Sequence, residues 1–98
     1  MIIVSQDKTN ILNFSNIQNV RIEPYGTHIK GKKIYKIFAG NSEGYVTELG
    51  TYDTEERAKE VLQEIWKFYE ISKRYECSSN NGITLFLEPT FAYQMPEE

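Results

Sequence analysis

Hydrophobic and polar positions alternate or cluster along this chain in a way that fixes most of its elements. Ile2-Ile3-Val4 reads as a short, largely buried strand, and the polar run from Gln6 to Asn10 is the turn after it. Extended structure resumes at Ile11-Leu12-Asn13-Phe14 and breaks at Ser15-Asn16. From Ile17 to Glu23, Val20 and Ile22 alternate with Asn19, Arg21 and Glu23, the period of a half-buried strand. Pro24-Tyr25-Gly26-Thr27 carries turn chemistry, because proline fixes φ and glycine supplies positive φ. A further strand over residues 33–39 places Ile34 and Phe38 on one side and Tyr35 and Ile37 on the other. Gly40-Asn41-Ser42-Glu43-Gly44 is a hairpin turn, and Tyr45 to Leu49 returns as the partner strand.

The pattern then changes from a period of two to a period of 3.6. Over residues 54–75 a helix places Ala58, Val61, Leu62, Ile65, Tyr69 and Ser72 on one stripe, opposite Glu60, Gln63, Lys67 and Arg74. Asp53 is the expected N-cap, with Glu56 three residues on, and Glu55 and Glu56 suit the positive end of the helix dipole. Ile83 to Leu87 reads as a last core strand stopped by Pro89, and Phe91 to Met95 alternates again as an edge strand. Strands, then one helix, then strand predict an α+β domain spanning residues 1–98. Its expected architecture is an antiparallel sheet of about five strands with the amphipathic helix packed on one face.

Composition narrows the chemistry. In 98 residues there is one cysteine (Cys77) and one histidine (His28), too few for a zinc site, and no nucleophile motif surrounds either, so no metal, cofactor or enzymatic activity is expected. The glycines match no phosphate-binding fingerprint. Glu55, Glu56, Glu60, Glu64 and Glu70 alternate with Arg57, Lys59 and Lys67 at helical spacings, as on an ordinary solvated helix. The net charge of -3 divides into +2 for residues 1–50 and -5 for residues 51–98, which predicts neither general nucleic-acid affinity nor DNA mimicry. The single cysteine, and an apolar start that turns polar by Ser5, predict a cytoplasmic chain in a reducing compartment without membrane association.

Two surfaces remain as candidates. One is the aromatic ridge Phe68, Ile71 and Tyr75, rotated off the core stripe, with Trp66 flanking the stripe on its other side. Either the tail with Phe91, Tyr93 and Met95 folds over this ridge, or the ridge is an interface for a partner or a second copy. The other is the lysine-rich segment Lys30, Lys32, Lys33 and Lys36 with Tyr25 and Tyr35, which could hold an anionic nucleotide or oligonucleotide by charge and stacking. Lysines on a sheet edge also serve simply to keep it soluble and unpaired.

Several segments carry a resemblance. They are Met1-Ile2-Ile3-Val4-Ser5-Gln6-Asp7-Lys8-Thr9, then Asn13-Phe14 with Asn16-Ile17, then Leu49-Gly50 with Tyr52 and Thr54 to Ile65, and finally Met95-Pro96-Glu97-Glu98. In these the chain resembles a group of short, uncharacterised proteins of Gram-positive bacteria, their phages and mobile elements. The resemblance implies action by binding: a host protein as partner, a defence component in particular, with homodimerisation as a companion expectation. It supplies no catalytic or binding residues.

Overall fold

A computed structural model describes residues 1–26, 32–78 and 92–98, leaving aside the side chains of residues 75–78. Six strands and one helix follow in the order β1 (Ile2–Val4), β2 (Ile11–Asn13), β3 (Ile17–Gly26), β4 (Lys33–Asn41), β5 (Val46–Tyr52), α1 (Glu55–Ser78) and β6 (Ala92–Gln94). The α+β class stands. The strands divide between two three-stranded sheets, ordered β2-β1-β6 and β3-β4-β5. Every pairing is antiparallel except β1 with β6, which run parallel with Ile3 opposite Tyr93. The strand expected at residues 83–87 lies outside the described residues.

Local chemistry explains the elements. The β4–β5 hairpin closes where Asn41 Oδ1 accepts hydrogen bonds from the backbone N–H groups of Glu43 (2.9 Å) and Tyr45 (3.0 Å). Gly44 takes the positive φ of 92° that this turn requires. Between β1 and β2, Asp7 Oδ1 accepts from the Ser5 hydroxyl (2.7 Å), the Thr9 hydroxyl (2.7 Å) and the Thr9 amide (3.0 Å). Those bonds, the Thr9 hydroxyl first, hold the Asp7 carboxyl below its ordinary pKa.

Two local expectations change. Pro24, Tyr25 and Gly26 do not turn the chain; they continue β3 in register with Tyr35, Ile34 and Lys33. Among the described strands β3 lies at an edge, where a proline costs no ladder bond if its nitrogen faces outward. The helix is capped by Thr54 rather than Asp53: the Thr54 hydroxyl accepts the Arg57 N–H at 3.1 Å, and its carbonyl accepts the Ala58 N–H.

Both sheets and the helix share one core of Ile3, Ile37, Ala39, Leu49, Tyr52, Ala58, Val61, Ile65 and Met95. Burying each of the larger aliphatic side chains contributes about 1.5–3 kcal/mol. The helix stripe enters this core as its spacing predicts: Ala58, Val61, Ile65 and Ser72 are buried, and Leu62 and Tyr69 half-buried. Gln6 joins the sheets. Its backbone N–H donates to the Leu49 carbonyl (2.7 Å), and its side-chain amide both accepts from Thr51 N–H (2.8 Å) and donates to Thr51 O (3.0 Å). The same amide nitrogen reaches the carbonyls of Pro96 (3.1 Å) and Glu97 (2.8 Å). Gly50 permits this close approach, since a Cβ there would stand 3.3 Å from Gln6 Cβ and 3.0 Å from the Tyr52 hydroxyl.

Candidate functional site

The helix has two flanks on either side of its buried stripe, and the structure treats them differently. On one flank Phe68 packs its ring against Tyr93 of β6, with centroids 5.6 Å apart. The Tyr93 hydroxyl donates to Glu64 at 3.1 Å. Burial, reinforced by the nearby Glu64 carboxylate, raises the Tyr93 pKa well above its ordinary value. β6 is anchored beneath this contact by Met95, which is fully buried, and by the Met95 N–H donating to Val4 O at 3.0 Å. The tail therefore covers Phe68. Ile71, further round the helix, stays 51% exposed. The side chain of Tyr75 and the whole of Phe91 lie outside the described residues.

On the opposite flank Trp66 is 60% exposed. It stands 6.2 Å from Tyr69, whose ring in turn rests 4.7 Å from Phe14. Phe14 is placed there by a short 3-10 turn, Phe14–Asn16, capped by Asn13 Oδ1 accepting from the Ser15 N–H at 3.1 Å. Between this flank and the edge of the sheet runs an open groove of about 610 Å³. Phe14, Ile17, Val20, Leu62, Ile65 and Trp66 give it apolar walls, and Gln18, Asn19 and Gln63 add neutral amides. Such a lining suits hydrocarbon and peptide groups and offers no proton donor or acceptor of shifted pKa. Beside it runs the outer edge of β3, which has no neighbour on that side among the described residues.

The sequence pattern already set Trp66 across the stripe from the Phe68 ridge. It gave no sign that Phe14, Ile17 and Val20 would meet Trp66, because that meeting depends on β3 being an edge. Only the break at Ser15-Asn16, after an aromatic residue, hints at the turn that sets Phe14 in place.

The described residues of the lysine-rich candidate divide between the two faces of the sheet. Tyr25 and Lys36 lie on the face of the sheet away from the helix, with Lys36 Nζ 5.1 Å from the Tyr25 ring centre and Tyr25 5.9 Å from Phe38. Lys36 donates to Glu48 at 2.6 Å, and that bond raises its pKa. Tyr35 packs toward the core on the other face, opposite Tyr52. Lys33 is exposed at the strand end opposite Gly26, and Lys32 precedes it, also exposed. Lys30 lies outside the described residues. Among the described residues no three His, Cys, Asp or Glu side chains cluster to hold a metal, and no helix is long and apolar enough to cross a membrane.

Comparison of the chain with protein-family models, with curated proteins and with solved structures finds no match.

Proposed function

We propose that this chain is a non-catalytic interaction protein that binds another polypeptide through the open flank of α1. The observation that carries this reading is Trp66, the one tryptophan of the chain, 60% exposed above an apolar groove beside a strand edge left unpaired among the described residues. Tryptophan is the side chain most enriched at the energetic centres of interfaces, and leaving it in water beside further apolar surface is unfavourable for a chain that works alone. The opposite flank is already occupied by β6 and has less to offer a partner. The resemblance to proteins of Gram-positive bacteria and their phages supports a host protein as partner, a defence component in particular, met in the cytoplasm.

The test is affinity capture from a Gram-positive lysate with the wild-type, Trp66→Ala and Phe68→Ala chains as baits. A partner retained by wild type and Phe68→Ala and lost by Trp66→Ala supports the reading. A partner that Trp66→Ala retains and Phe68→Ala loses overturns it.

A further inference from the structure

We infer that the outer edge of β3 pairs with the β3 of a second copy, antiparallel about a two-fold axis at Ile22. The inference rests on reading the Trp66 flank as a protein-binding face and names an occupant for it.

The argument begins with Pro24. Lacking an N–H, it fits a strand where the backbone amide faces away from the neighbouring strand, here β4. Backbone direction alternates along a strand, so Ile22 and Val20, in unbroken register with Pro24, also point their N–H and C=O groups outward. A two-fold at Ile22 then joins Ile22 N–H to Ile22 O of the second copy, and the reverse. Val20 N–H reaches Pro24 O in the same way, twice by symmetry. The missing proline N–H leaves the Val20 carbonyl without a donor opposite, and the bulge at Gln18 ends the ladder at these four bonds.

Charge selects this register. Centred on Ile22, the pairing sets Arg21 directly opposite Glu23 of the second copy, and Glu23 opposite Arg21, in the close, non-hydrogen-bonded positions. Centred on Arg21 or on Glu23, it would oppose two like charges. Centred on Val20, it would run into the bulge between Ile17 and Asn19. Arg21 already bonds Glu23 and Asn19 of its own chain, each at 3.0 Å, and a guanidinium has donors left for a second carboxylate.

The helix fits the same arrangement. It packs against β3, β4 and β5, so its axis lies over the middle strand, β4. In a joined sheet the two β4 strands stand three strand spacings apart, about 14 Å. Directly packed helices approach to about 8–10 Å. Large side chains are needed to fill the difference, and Leu62 and Trp66 are the ones on that flank.

Sedimentation equilibrium of the full chain over a wide concentration range tests this, with hydrogen exchange read at single amides. A species of twice the 11.5 kDa monomer mass is expected, with Val20 and Ile22 amides protected only at high concentration. Arg21→Glu and Glu23→Arg each put like charges opposite one another at two symmetric contacts and weaken the dimer by about tenfold or more. The double exchange, R21E with E23R, restores it. Circular dichroism of each variant checks that the outer-face substitutions leave the fold intact. A wild-type chain that stays monomeric at millimolar concentration overturns the inference, as does a dimer indifferent to both single reversals. A monomer whose capture of a partner still depends on Trp66 leaves the binding face standing without the second copy.

Discussion

The two flanks of α1 show how similar residues acquire different roles from what the chain places beside them. Phe68 and Trp66 are both large aromatics just off the buried stripe of the helix. Phe68 meets Tyr93, carried on a short strand whose next residue, Met95, is locked in the core. Trp66 lies over a groove beside β3, the edge of its sheet among the described residues. The covered flank is therefore part of the fold, whereas the Trp66 flank stays open among the described residues. Stability should depend on the first, and binding on the second.

Substitutions can break or sharpen that contrast. The largest effect is expected at Met95→Ala, which empties a fully buried site under β6 and should cost about 2–5 kcal/mol in urea unfolding. Tyr93→Ala removes the ring stacked on Phe68 and the hydrogen bond to Glu64, and should cost about 2 kcal/mol. The Tyr52 hydroxyl donates to Pro96 O at 2.8 Å and helps keep the segment after β6 in place. Tyr52→Phe should cost about 1 kcal/mol by leaving that carbonyl without its donor.

Tyr52 also predicts a pH response. Burial pushes its pKa from 10.0 up to about 12, so the folded state favours the protonated phenol. Its contribution is fully present below pH 10 and is lost as the pH rises from 10 to about 12; Tyr52→Phe should flatten that part of the stability profile. The smallest effect is expected at Trp66→Ala, within about 0.5 kcal/mol of wild type in the dilute monomer. A loss there as large as at Tyr93 would mean that the open flank is structural after all.

Much of this fold was legible from residue spacing, because period and burial coincide in the helix and in β3 to β5. The stripe from Ala58 to Ser72 and the hairpin at Asn41 to Gly44 are local features, set by residues a few positions apart. Pro24 misled for a physical reason: its turn chemistry is real, but an edge strand tolerates it, and being an edge is a property of the whole sheet. The division into two sheets was hidden for the same reason. It depends on Gln6 bonding to Thr51, Pro96 and Glu97 at separations of 45 residues or more, which no local pattern records. The candidate site was half visible. Trp66 stood out by its helical angle, whereas its groove partners Phe14, Ile17 and Val20 are assembled only by tertiary packing.

Because the chain has a single tryptophan, its fluorescence reports on the open flank alone. The most direct test is the emission of Trp66 along a dilution series from millimolar to nanomolar protein. If this flank is the binding face and a second copy occupies it, emission shifts to the blue as concentration rises, and Arg21→Glu removes the shift. Emission that stays that of a water-exposed indole at every concentration would contradict the account.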